Sequence, residues 1–252
     1  MSLKQYRYIQ GTVMILMGAF LLETVITGKL DWYIHQRFMP LTVLAIMALF
    51  IIGTALFFQA RLTSTDEPED EDGHEHSDDH DHSVSPWRLA IIVIPLLIGI
   101  LIPAKPLTAD AMSSKGVSSN APVISNSSST VKLDQAADER NILDWTRLFN
   151  STDDPGTYLG QSASVIGFVY HDPRLKSGQF LVSRFALVCC TADAFALGMV
   201  VDWPQSSALP NDQWINVKGP VQTTDLEGQK LPLIQASAVK PVQQPDQPYL
   251  FP

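Results

Sequence analysis

From residue 40 to residue 59 the chain reads PLTVLAIMALFIIGTALFFQ, roughly 20 residues without a charge. A helix rises about 1.5 Å per residue, so roughly 20 apolar residues match a hydrocarbon core about 30 Å thick. That run demands lipid around it, and two more resemble it. Residues 9–27 (IQGTVMILMGAFLLETVIT) carry Glu23 as their sole ionisable group. Residues 87–102 (WRLAIIVIPLLIGILI) form a shorter run with Pro95 inside it. The pattern predicts a transmembrane region over 1–103 with spans near 9–27, 40–59 and 87–102. A short span can thin the bilayer or pack on a neighbour. The competing readings are an interfacial helix for the third run and a cleavable signal for the first. Lys4 and Arg7 precede the first run, but no small-x-small cleavage site closes it cleanly.

The net charge of −9 is localised. Residues 66–81 hold ten of the 26 carboxylates and no Lys or Arg, which leaves 16 acids against 17 bases elsewhere. No basic stripe exists for nucleic acid, and that function class is set aside.

Lys4 and Arg7, Lys29 and Arg37, and Arg61 and Arg88 flank the spans almost evenly. The charge bias that normally orients a membrane protein is therefore nearly flat. Three spans put the chain ends on opposite sides. With the N-terminus inside, the expectation is a multi-pass protein of the cell membrane, its C-terminal domain on the extracytoplasmic side.

Residues 104–130 are rich in Ser, Asn and Ala and read as a flexible linker. The remainder, 131–252, changes character. Ile142, Trp145 and Leu148 give an apolar helix face over 138–149. Strand candidates follow at 163–170, 179–189, 195–201, 214–223 and 233–239. In the first, Val165, Gly167 and Val169 alternate with Ile166, Phe168 and Tyr170, so apolar side chains occupy both faces. Strands in this number, with one helix, predict a mostly β domain, an OB-like small barrel first and a sandwich second.

Two constellations carry chemistry. The loop 64–85 contains DEPEDEDGHEHSDDHDHS, in which His74, His76, His80 and His82 form two His-x-His pairs among carboxylates. Imidazole and carboxylate suit a transition metal such as zinc, and carboxylates orient such imidazoles. The bland alternative is a solvated acidic spacer. The second constellation runs from Arg184 to Cys189, Cys190 and Asp193. Adjacent thiols can hold a soft metal or metalloid, or close a disulfide. The alternative there is ordinary buried cysteine, with Asp193 fixing a turn. His171 follows the first strand in His-Asp-Pro-Arg. Nothing in the spacing links it to Cys190, and the chain is read as non-enzymatic.

Tyr33-Ile34-His35-Gln36-Arg37, Asn141-Ile142-Leu143-Asp144-Trp145, Gly167-Phe168-Val169, the Arg184-to-Asp193 run, Trp214, Gly219 and Pro248-Tyr249-Leu250-Phe251-Pro252 together resemble the YcgQ-like family. Its members are bacterial membrane proteins described as subunits of a two-component permease. The resemblance spans most of the chain outside the acidic loop and the linker. It implies a larger multi-span permease as partner, of a class linked to metalloid export. Gln36 stands where the pattern has proline.

Three short helices are too few to enclose a pathway. The expectation is therefore an accessory permease subunit whose Cys189, Cys190, Asp193 and Arg184 contact the transported substrate or ion. The alternative is a membrane-anchored metal sensor or buffer that works through the histidine loop. A thiol oxidoreductase is disfavoured, because redox pairs are usually spaced Cys-x-x-Cys.

Overall fold

A computed structural model describes residues 3–62, 87–116, 135–151, 157–226 and 228–252. His74, His76, His80 and His82, and most of the expected linker, lie outside them. Two compact units emerge: residues 1–31 with 36–105, and residues 32–35 with 106–252.

The first unit contains α1 (Leu3–Ile26), α2 (Met39–Leu62) and α3 (Trp87–Leu101). The first two have 24 residues each and are long and apolar enough to cross a membrane. The expectation of three such helices is corrected here: α3 has only 15 residues. Prolines explain its length. Pro86 precedes it, Pro95 lies within it, and Pro103 disfavours helical backbone at Ile102.

The α1–α2 contact is a close backbone approach. A side chain on Gly53 would meet Ile15 Cγ1 at 2.7 Å and the Gly11 carbonyl at 3.1 Å. Tyr8 and Phe57 meet edge-on at 5.2 Å in the same contact. Small residues at a crossing let apolar helices pack where the surroundings are as greasy as the helices. Glu23 ends up ion-paired with Lys29 at 2.8 Å.

The second unit begins, after Trp32–His35, with α4 (Ala109–Lys115), where flexible linker was expected. Ala109 and Met112 are buried, which anchors it. Next comes α5 (Ile142–Ser151), preceded by a separate 3-10 turn at Ala137–Glu139. Asn141 sets its start. Its Oδ1 accepts the amides of Leu143 and Asp144, and Asp144 Oδ2 accepts the Asn141 amide. This reciprocal cap satisfies amides that have no partner within the helix.

Six strands follow: β1 (Ser162–Tyr170), β2 (Gln179–Ala186), β3 (Phe195–Asp202), β4 (Trp214–Leu226), β5 (Gln229–Gln235) and β6 (Ala238–Pro241). β1 pairs antiparallel with β2 and with β4, β2 with β3, β4 with β5 and with β6, while β3 and β5 run parallel. The pairings thus pass from β1 through β2, β3, β5 and β4 back to β1. The candidate strand 233–239 resolves into the end of β5 and the start of β6. The missed piece is a β4–β5 hairpin, turned at Gly228 with φ +84°.

Two apolar clusters flank β1. Val165 and Val169 join the main core with Trp145, Phe180 and Ile215. Phe168 faces a second cluster of Ala109, Met112, Phe185, Leu187 and Tyr249, against which Trp32 and Phe251 pack. Alternate residues of a strand face opposite sides, so a strand between two cores is apolar on both. Gly219 permits the closest approach in this domain, since a Cβ there would run into the Gln235 carbonyl.

A candidate thiol–carboxylate site

Strand β2 was expected to continue to Cys189 but stops at Ala186. Beyond that point the backbone finds other partners. The Leu187 amide donates to the Leu250 carbonyl at 2.9 Å. The next three amides turn to one carboxylate: Asp193 accepts from Val188 at 3.2 Å, Cys189 at 2.8 Å and Cys190 at 3.3 Å. Past the end of the ladder a side chain takes over the pairing of these amides.

The tight loop ends in a 3-10 turn, Thr191–Asp193. The Asp193 amide donates to the Cys190 carbonyl at 3.1 Å. Lys115 of α4 covers the turn from outside, donating to the carbonyls of Thr191, Ala192 and Ala194.

The loop is also paired on its other edge, by Trp32–His35. The His35 amide donates to the Cys189 carbonyl, and the Thr191 amide to the Tyr33 carbonyl, each at 2.9 Å. Ile34 and Cys190 form the resulting antiparallel bridge. The His35 ring lies against Phe251, with centroids 4.1 Å apart. Tyr249 completes the frame, its hydroxyl accepting the Leu107 amide and donating to the Trp32 carbonyl. Sequence reading assigned no structural role to residues 32–35 or to the tail. Short polar-aromatic segments carry no periodicity to reveal one.

The frame brings Cys189, Cys190 and Asp193 together, with one ligand atom from each inside a common 4.8 Å span. Among the described residues this is the one cluster of metal-ligating side chains. Cys189 is exposed and Cys190 half-buried, both as free thiols with sulfurs 3.7 Å apart. The Asp193 carboxylate accepts from the Cys189 thiol, which pushes that thiol up to about 12, and the Cys190 sulfur adds to the shift. For Asp193 itself burial works upward, but hydrogen bonds from the Cys189 thiol and the loop amides outweigh it and lower its pKa.

Arg184 is employed elsewhere. Its guanidinium donates to the carbonyls of Gln247 and Pro248 and lies 5.6 Å over the Trp214 ring. It fastens the tail; none of these contacts is with a thiol. His171 is likewise occupied, with Nε2 2.8 Å from the Leu209 carbonyl. It is not part of the thiol cluster.

Comparison with known proteins adds an independent finding. The DUF1980 N-terminal domain matches residues 9–118, and the DUF1980 C-terminal domain matches residues 126–252. "UPF0703 protein YcgQ" of Bacillus subtilis is 30% identical over 99 residues, covering 38% of this chain and 35% of that protein. "Putative two-component membrane permease complex subunit" of Streptococcus mutans is 29% identical over 99 residues, covering 38% of this chain and 36% of that protein. The chain thus matches about a third of the length of these relatives. A small single-stranded DNA-binding protein from Streptomyces coelicolor matches 33% of this chain and 94% of its own, at 18% identity. Its TM-score of 0.21 gives that likeness no weight.

Proposed function

This chain belongs to the DUF1980 family, and from that premise we propose that it is a non-enzymatic accessory subunit of a membrane permease, in contact with a metal or metalloid ion. The observation that carries the reading is the gathering of two thiols and a carboxylate on a domain whose own chain leads into membrane helices. Two such helices among the described residues, with the shorter apolar α3, are too few to enclose a pathway, so the subunit works beside a larger multi-span partner. The name of the Streptococcus relative, a permease complex subunit, agrees with that role.

Chain order supports a third crossing. Residues 32–35 lie between α1 and α2, yet they pair within the same unit as residues 106–252. If α2 crosses once, the chain has to return before residue 106 to reach the same side. The apolar helix available for that return is α3. Its 15 residues span about 22 Å, a mismatch that local thinning of the bilayer accommodates. With an inside N-terminus, the β domain lies on the extracytoplasmic side. The circuit of pairings around β1 supports reading that domain as an OB-like barrel.

The alternative, a membrane-anchored metal buffer acting through His74, His76, His80 and His82, has sequence spacing behind it. Affinity isolation from mild detergent tests the primary reading. A multi-span permease should accompany the tagged chain. Recovery of the chain alone from cells that also express a genomically adjacent permease overturns the proposal.

A further inference from the structure

We propose that Cys189, Cys190 and Asp193 form a three-donor site for a thiophilic divalent cation of the zinc class, which enters by displacing one proton from each thiol and keeps a fourth coordination position open. This rests on the ion-contact reading above and gives it a ligand chemistry.

The sulfur spacing is the first support. Zinc binds thiolate at about 2.3 Å with tetrahedral angles, which sets two coordinated sulfurs about 3.8 Å apart. Here they are 3.7 Å apart before any ion is bound. A disulfide needs about 2.05 Å, so no bond joins the pair. The Asp193 oxygen lies within 4.8 Å of both sulfurs. A swing of about 1 Å brings it to the roughly 3.5 Å edge that zinc–oxygen and zinc–sulfur bonds require.

The lone pairs of Asp193 are the second. A carboxylate offers about four acceptor positions. Three amides occupy three of them, which leaves the fourth for a cation. A cation at that fourth position shares the carboxylate with the amides. Each ligating thiol exchanges its S–H bond for a sulfur–metal bond and releases one proton to water, with no electron transfer.

Framing is the third support. Pairing with Tyr33 and His35 on one edge and the Lys115 cap on the other hold the loop before the ion arrives. The titratable neighbours are few. Lys115 is committed to carbonyls, the His35 ring packs on Phe251, and Tyr33 contributes its carbonyl. None is a fourth ligand in the cluster. Sites with three protein donors leave a position for water or an exchanging group, as a transferable ion requires. Thiolate donors favour zinc-like ions over magnesium or calcium.

The test uses the full chain in detergent and cobalt(II) as a spectroscopic stand-in for zinc. A sulfur-to-cobalt charge-transfer band should appear, vanish on zinc addition and persist with magnesium. It should be lost in Cys189→Ser and in Cys190→Ser. The acidic loop cannot produce this band, because it holds no sulfur. Apparent affinity should fall about tenfold for each unit by which the pH is lowered, per proton displaced. A second measurement needs no substitution: zinc should slow maleimide alkylation of the wild-type thiols at least tenfold. Absence of the band, its survival in either serine variant, or unprotected alkylation overturns the site. A chain that keeps its permease partner but binds no cobalt loses this inference alone; one that binds cobalt but no partner loses the subunit reading alone.

Discussion

The amide of Thr191 donates to the carbonyl of Tyr33 at 2.9 Å, joining the loop that follows α1 to the turn that carries the two cysteines. The Cys189 carbonyl accepts the His35 amide in the same bridge. Anything that moves one strand of this bridge moves the other.

His35→Pro removes the donor to Cys189 without altering the thiols. A hydrogen bond of this kind contributes about 1 kcal/mol net. Maleimide labelling of Cys189 at neutral pH should therefore rise roughly fivefold, while the thermal transition of the β domain stays within a few degrees. Unchanged labelling would show that the bridge does not restrain the site.

Asp193→Asn should make Cys189 the more reactive thiol. The carboxylate is the main reason the thiol stands at about 12, against an ordinary 9.0. In the wild type the thiolate fraction keeps rising with pH throughout the range where most thiols have levelled off. With the carboxylate gone the curve should move to lower pH, and labelling at pH 8 should increase more than tenfold. A pH–rate profile of both proteins checks the direction.

Gly219→Ala tests the packing of the sheet. The added methyl would meet the Gln235 carbonyl, and backbone gives way less readily than a flexible side chain. Overpacking of this type costs about 1–3 kcal/mol. The variant should unfold at a lower temperature, by several degrees in a calorimeter, with the cobalt–thiolate band retained below the transition.

Deletion of residues 66–82 separates the acidic loop from the thiol site. The cobalt–thiolate band and recovery of the permease partner should both survive. Loss of metal tolerance in cells, with both of these intact, would assign a separate buffering task to His74, His76, His80 and His82.

Much of the architecture is legible in the amino-acid order, because it follows from periodicity. Long apolar runs gave α1 and α2, and short apolar stretches placed β1 and β3 within about a residue of their observed ends. The resemblance to the YcgQ-like family is borne out by the matches along the chain. What escaped depends on partners distant in sequence. The end of β2 is decided by Leu250 and Asp193, and the fold of α4 by a cluster to which Phe185 and Tyr249 contribute. The β4–β5 hairpin did have a local sign, since Gly228 follows an alternating stretch.

The candidate site divides along the same line. Cys189, Cys190 and Asp193 were recognisable as a cluster because they lie within five positions of one another. Arg184 was grouped with them by proximity in sequence, but its guanidinium reaches the tail carbonyls. Nothing in Tyr33-Ile34-His35 advertises a strand, since three residues are too short a sample for an alternation to register.

The second apolar cluster has a practical consequence for anyone cutting the gene. A soluble fragment that begins at residue 131 contains every strand and looks complete. It nonetheless discards Trp32, Leu107, Ala109 and Met112, which cover Phe168, Phe185 and Leu187. Such a fragment would expose a greasy flank and tend to clump, so a workable piece of this domain has to keep Trp32 and residues 107–112.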